Sequence, residues 1–317
     1  MRYIEALKEG EHVSEIYFCK QKQSLTTKAG KPYDSLILQD KTGTIDAKIW
    51  DVSSQGIYDF EAMNYVDVVG EVVSFQGALQ LNIKTIRPVS EGGCDPTEYM
   101  PSSDYDIEQM YDELLGLIKK VKNTYLNQLC GLFFIKSEKI IQVFKNHSAA
   151  KSVHHSFIGG LLQHTLAVMK LCDFYCDHYP LLNRDLLLTA AALHDIGKLK
   201  ELSAFPENNY TDDGQLLGHI VIGSEWVHDA VRQIPDFPAK LKRELQHCII
   251  AHHGELEYGS PKKPALAEAV ALNYADNTDA KLQTLTEIFK VPANRSGEWI
   301  GMNRLFESNL RLAGKWD

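Results

Sequence analysis

An apolar run of Leu186, Leu187, Leu188, Ala190, Ala191, Ala192 and Leu193 ends abruptly in His194-Asp195, followed by Ile196-Gly197-Lys198. A stretch this apolar predicts a helix buried on all sides, so it carries an imidazole and a carboxylate together into the interior. Burying both is costly without compensation. An isolated pair of this kind is satisfied by a capping Asp beside a hydrogen-bonded core His. A divalent cation is the other compensation, because both groups are ligands and the cation stabilises the carboxylate charge.

The same event recurs along the chain. His164 interrupts Gly160-Leu161-Leu162-Gln163-His164-Thr165-Leu166, and His219 interrupts Leu216-Leu217-Gly218-His219-Ile220. His252 and His253 end Ile249-Ile250-Ala251, and Asp276 stands in Leu272-Asn273-Tyr274-Ala275-Asp276-Asn277. Each breaks a segment that otherwise reads as helical core. One such residue is an ordinary buried His; repeated interruptions by His or Asp alone are explained together by a shared metal centre.

The chain's 317 residues suffice for two domains with real cores. With 44% hydrophobic and 24% charged residues it reads as a globular protein, and no apolar run is long enough for a membrane span. Residues 1–10 are charged and helical in pattern, without the apolar stretch of a secretory signal. Cys19, Cys94, Cys130, Cys172, Cys176 and Cys248 form no Cys-x-x-Cys, which predicts reduced thiols and a cytoplasmic location. Cys172 and Cys176, one helical turn apart, are expected in the core. A net charge of −9 argues against nucleic-acid binding through bulk charge, but not against a local basic groove or bound cations.

The first 90 or so residues read as strands: 13–19, 35–40, 44–50, 65–73 and 79–86 alternate apolar and polar residues, with turn formers between them. Five such strands predict an all-β OB-like barrel. OB barrels hold single strands through aromatic stacking and a basic groove, for which Tyr33, Trp50, Phe75, Lys28, Lys31 and Lys48 are candidates. Core positions for Trp50 and Phe75 remain open, because the strand register is not fixed by one sequence. Residues 88–104 are rich in turn formers, which places a linker at 96–104 between a 1–95 domain and a 105–317 all-α domain. In the second domain apolar residues recur at helical spacing, as in Ile107, Met110, Tyr111, Leu114, Leu115 and Ile118.

The order His164, His194-Asp195, Asp276 resembles the signature of the HD-domain metal-dependent phosphohydrolases, and the added His219 and His252-His253 resemble the subset carrying two metals. The surrounding words are His154-His155-Ser156-Phe157-Ile158-Gly159-Gly160, Leu193-His194-Asp195-Ile196-Gly197-Lys198, His252-His253-Gly254-Glu255 with Gly259-Ser260-Pro261-Lys262-Lys263-Pro264, and Tyr274-Ala275-Asp276-Asn277-Thr278-Asp279. With the OB-like domain in front, the chain resembles the YhaM family of 3′–5′ exoribonucleases over nearly its whole length.

This resemblance implies one metal held by His164, His194, Asp195 and Asp276, and a second held by His219, His252, His253 and the other oxygen of Asp195. A carboxylate can bridge cations about 3.5–4 Å apart; one of His252 and His253 can instead stand behind the ligands. An N/O donor set without thiolate suits Mn²⁺ first, with Co²⁺, Fe²⁺ or Mg²⁺ as alternatives. Lys198 is expected to clamp a phosphate oxygen, its alternative being a surface lysine at a helix end. His154 and His155 are expected near the scissile phosphate or terminal ribose, or else at a solvated helix entry. Lys262 and Lys263 are expected on backbone phosphates or in a solvated turn, and Asp279 behind the ligands or on a helix face.

Together these features imply removal of nucleoside 5′-monophosphates from the 3′ end of single-stranded RNA, with ssDNA as an alternative substrate, no membrane and a homo-oligomer as an open option. Two other classes compete: an HD phosphohydrolase of nucleotides or cyclic dinucleotides, and a non-catalytic single-strand-binding factor. Residues 281–317 are expected to form closing helices or a tail packed on a neighbour.

Overall fold

A computed structural model of the chain describes residues 2–90, 93–151, 155–290 and 298–314. Strands β1 (His12–Thr26), β2 (Pro32–Asp40), β3 (Gly43–Ile49), β4 (Tyr65–Phe75) and β5 (Ala78–Pro88) close a barrel in the order β1-β2-β3-β5-β4. Neighbouring strands are antiparallel except β3 and β5, which run parallel. This is the five-stranded OB architecture.

The pleat explains which side chains enter the barrel. Ile45, Ala47 and Ile49 of β3 point inward and are buried with Leu36, Leu38, Val68 and Leu81. Trp50 follows in the outward phase and is 49% exposed, and Phe75 at the end of β4 is also exposed. Neither is core. The helix suggested by residues 1–10 is limited to a single 3₁₀ turn at Ile4–Ala6. Three residues cannot sustain an α-helix, and the Ile4 N–H donates to the Asp40 carboxylate at 2.6 Å.

The segment after the barrel is built into the protein. Tyr99 and Met100 are buried with Phe18 of β1 and Ile158, and Tyr99 packs edge-on against Tyr65 of β4. The Gln39 side-chain amide donates to the Tyr99 carbonyl at 3.1 Å. Farther on, the Ile158 N–H donates to the Pro101 carbonyl and the Ser103 N–H to the Ile158 carbonyl. The Ser103 hydroxyl donates to Gln163 at 2.7 Å. The connection therefore links the barrel to the segment that carries His164.

The remaining described residues are mainly helical: α1 (Ile107–Ile118), α2 (Thr124–Phe134), α3 (Glu138–Asn146), α4 (Gly160–His178), α5 (Arg184–Leu193), α6 (Lys198–Glu201), α7 (Asp212–Leu216), α8 (Gly218–Val231), α9 (Ala239–Ile250) and α10 (Ala267–Lys290). Asp106, Asn123, Ser137 and Asn183 cap α1, α2, α3 and α5 by accepting backbone N–H bonds. Helix α5 is the apolar run: every residue from Leu186 to Leu193 is buried, against α2, α4, α9 and α10. Cys172 is in this core and Cys176 at its margin. No helix among the described residues is long and apolar enough to cross a membrane.

The end of the chain differs from the expected closing helices. Helix α10 runs to Lys290, and beyond it β6 (Trp299–Asn303) and β7 (Ser308–Arg311) form an antiparallel hairpin. Asn303 accepts from the Leu305 N–H in its turn, Glu298 and Arg311 pair across its open end, and Gly301 adopts a φ of 113° at the register shift. This turn chemistry favours a hairpin over continued helix.

Candidate metal centre

Five elements bring the interrupting residues together. Helix α4 supplies His164, the turn after α5 supplies His194 and Asp195, α8 begins with Gly218-His219, the turn after α9 supplies His252 and His253, and α10 supplies Asp276. Asp195 lies at the middle with its two oxygens facing different partners. Its Oδ2 is 3.4 Å from His164 Nε2 and 3.3 Å from His194 Nε2. Its Oδ1 is 3.4 Å from His219 Nε2 and 3.6 Å from His252 Nε2. His164 Nε2 is also 3.2 Å from Asp276 Oδ1, while His219, His252 and His253 form a second compact group of nitrogens.

The outer nitrogen of each ring determines what its inner nitrogen offers. His194 Nδ1 meets the Ala191 carbonyl at 2.8 Å, His252 Nδ1 the Ile249 carbonyl at 2.6 Å, and His253 Nδ1 the Tyr258 carbonyl at 2.7 Å. His164 Nδ1 meets Asp279 at 2.7 Å and His219 Nδ1 meets Glu201 at 2.9 Å. A carbonyl or carboxylate oxygen can only accept here, so each Nδ1–H donates and each Nε2 is the atom turned inward, offering a lone pair when the ring is neutral. This is the ring orientation metal-ligating histidines require.

These lone pairs fit divalent cations. Asp195 Oδ1, His219 Nε2 and His252 Nε2 are buried without a hydrogen-bond partner, and His164 Nε2 faces His194 Nε2 at 3.2 Å. Buried acceptors facing only one another are unfavourable until a cation joins them. Donors about 2.1 Å from an octahedral ion lie roughly 3 Å apart, close to the spacing found here.

The electrostatics favour anionic carboxylates and, through burial, neutral rings at His252 and His253. Burial works to raise the Asp195 and Asp276 carboxyls, but Lys198 and the imidazoles beside Asp195, and His164 foremost beside Asp276, hold both below the usual carboxylate range. Burial likewise opposes ionisation of Asp279, yet its bonds to His155 and His164 bring it to about 2. His253 falls to about 4 through burial and the neighbouring His252, which keeps it neutral at pH 7. Burial also lowers Lys198, but the Asp195 carboxylate 2.6 Å away outweighs it and keeps the ammonium charged.

The family description "HD domain" matches residues 161–281, which span the cluster from α4 into α10. A 3′–5′ exoribonuclease YhaM from Bacillus subtilis (strain 168) is 35% identical over 277 residues, covering 87% of each chain. The chain belongs to the YhaM family of 3′–5′ exoribonucleases. The YhaM of Listeria innocua is 34% identical over 282 residues, 89% of each chain. Among solved structures, the second OB-fold domain of replication protein A from Methanococcus maripaludis covers 30% of this chain and 98% of its own, at 19% identity and a TM-score of 0.24. The barrel's own strand order is what identifies its fold.

Other candidate residues in this YhaM-family chain lie at differing places. His155 is buried with φ 58°, and its Nε2 lies 2.8 Å from Asp279, the carboxylate behind His164. It therefore meets the cluster through Asp279, where sequence alone left open the scissile phosphate, the terminal ribose or a solvated helix entry. His154 lies outside the described residues. Lys262 and Lys263 are exposed on the loop after His253, with Lys263 on Glu255 at 2.6 Å. Lys28 and Lys31 are exposed between β1 and β2, and Trp50 stacks on Tyr33 at 5.1 Å with an interplanar angle of 26°. All four belong to the barrel. Sequence reasoning passed over Glu201 entirely: in Lys198-Leu199-Lys200-Glu201 a buried acid looks like one more member of a solvated charge run.

Proposed function

We propose that this chain is a cytoplasmic, divalent-cation-dependent 3′–5′ exoribonuclease that degrades single-stranded RNA, with ssDNA as a secondary substrate, to nucleoside 5′-monophosphates. The observation that carries this reading is the set of inward-facing Nε2 lone pairs on both sides of Asp195. His164, His194, Asp276 and Asp195 Oδ2 would hold one cation, and His219, His252, His253 and Asp195 Oδ1 the other.

Charge balance supports two ions. Asp195, Asp276, Asp279 and Glu201 set four carboxylates against the single ammonium of Lys198. With the imidazoles neutral, as ligation requires, this leaves three negative charges, more than one divalent ion carries. Mn²⁺ is the first choice, with Co²⁺, Fe²⁺ and Mg²⁺ behind it.

Bound there, divalent cations supply Lewis acidity to a phosphoryl oxygen and lower the pKa of water at the site. Lys198 directs one N–H to Asp195 and has two more for a phosphate oxygen. Hydrolysis adds water across the terminal phosphodiester: phosphorus gains the oxygen, and the penultimate 3′-oxygen leaves with a proton. The released nucleotide keeps a 5′-phosphate. Lys262 and Lys263 would contact the strand beyond.

On the barrel, the Trp50 indole N–H donates to Asn82 at 2.9 Å and the ring is braced by Tyr33. A fixed, half-exposed ring of this kind supports base stacking, and Lys28 and Lys31 add positive charge for the backbone. Stacking contributes about 1–3 kcal/mol per base. Trp50→Ala is therefore expected to weaken binding of a single-stranded RNA by roughly 5- to 150-fold, measured by fluorescence anisotropy, while a dinucleotide is cleaved at the wild-type rate. Unchanged RNA affinity would remove Trp50 from the strand path.

The direct test is a time course on 5′-labelled single-stranded RNA with Mn²⁺ and with EDTA. A ladder shortening from the 3′ end with Mn²⁺, halted by chelation and restored by added metal, is expected. An intact oligomer alongside cleavage of free or cyclic nucleotides would transfer the site to a nucleotide phosphohydrolase. RNA binding without any cleavage would leave only a binding factor. The homo-oligomer left open by the sequence is tested by light scattering of the purified chain.

A further inference from the structure

The five inward-facing histidines are not backed alike. His194, His252 and His253 donate Nδ1–H to backbone carbonyls, whereas His164 donates to Asp279 and His219 to Glu201. Each proposed cation position thus has one ring backed by a full negative charge. A carboxylate behind an imidazole fixes its tautomer and strengthens the opposite nitrogen as a donor.

Glu201 is seated for this role. It is buried at the end of α6, and its Oε1 accepts both the His219 ring N–H and the His219 backbone N–H, each at 2.9 Å. One oxygen therefore caps the start of α8, which has no side-chain cap at Leu217, and aims the ring. The Glu201 backbone is fixed as well: its carbonyl accepts from the Thr211 N–H, and a Cβ on Gly214 would come within 2.2 Å of it.

We propose that Glu201 is a positioning residue whose negative charge, acting through His219, sets the affinity of the second cation position. This rests on the two-cation reading above. Cap and charge are separable. Glu201→Gln retains an acceptor oxygen for both N–H groups and removes only the charge, while Glu201→Ala removes both.

The test is calorimetric titration of the chelator-stripped full chain with Mn²⁺, with the EPR spectrum followed as ions are added. Wild type is expected to bind two ions and to develop the signal of a coupled Mn²⁺ pair. Glu201→Gln is expected to melt like wild type, keep one binding event and lose 10- to 100-fold in the other, so that the coupled signal appears only at higher Mn²⁺. Asp279→Asn should spare the event that Glu201→Gln weakens. Wild-type affinities at both positions in Glu201→Gln, with only Glu201→Ala impaired, would reduce Glu201 to a helix cap and overturn the proposal. A wild-type chain binding fewer than two ions would instead overturn the two-cation reading beneath it.

Discussion

Asp195→Ala is expected to abolish hydrolysis, with a loss on the order of 10³-fold or more. Its two oxygens face the two groups of imidazoles, so one substitution removes a donor from both. The change also leaves Lys198, whose side chain is only 12% exposed, without its anion. Breaking a buried pair from one side costs about 3–5 kcal/mol, so the helical domain should melt earlier even without metal. The diagnostic result combines three readings: circular dichroism that retains the helical signal at room temperature, a Mn²⁺ titration in which neither position fills at micromolar ion, and no ladder on labelled RNA. Residual cleavage near the wild-type level would disprove a shared ligand at Asp195.

Gly197→Ala is expected to damage the same site by a steric route. Gly197 has an ordinary helical φ of −65°, so its role is spatial. A Cβ there would lie 2.0 Å from the His219 carbonyl oxygen and 2.7 Å from the Gly223 nitrogen, both backbone atoms of α8. No rotamer change relieves that contact; α8 must move, and His219 moves with it. Overpacking of this kind costs about 1–3 kcal/mol, and a displacement near 1 Å at a reacting centre can cost on the order of 10²-fold in rate. The expected result is a lowered melting temperature, a second Mn²⁺ position weakened more than the first, and slower hydrolysis. Unchanged melting and full activity would mean that α8 tolerates the shift.

The proposed metal ligands were legible because each one breaks an apolar helical pattern. His164, His219 and Asp276 had no hydrophobic reason to stand where Leu or Ala would serve, and their common chemistry linked segments far apart in sequence. The barrel was legible through its alternation, which also held the answer for Trp50: counting inward positions from Ile45 through Ala47 and Ile49 puts it outside. The backing of the rings was hidden. Three of the five acceptors are main-chain carbonyls, which no side chain announces. The fourth, Glu201, is masked by neighbouring lysines that share its polarity but not its burial. The placement of His155 was equally hidden, since the chain turns at its positive φ and takes the ring to Asp279, behind His164.

Those three carbonyls have a consequence for mutational surveys. The oxygen behind His194 belongs to the main chain, so any residue at 191 that fits the core presents it, and the same holds at 249 in α9 and at 258 in its 3₁₀ turn. A saturation scan read out on RNA decay would thus flag Glu201 and Asp279 but pass over Ala191, Ile249 and Tyr258, apart from packing penalties. Most of this cluster's supporting layer is invisible to side-chain substitution, so a count of intolerant positions would understate how many groups orient its rings.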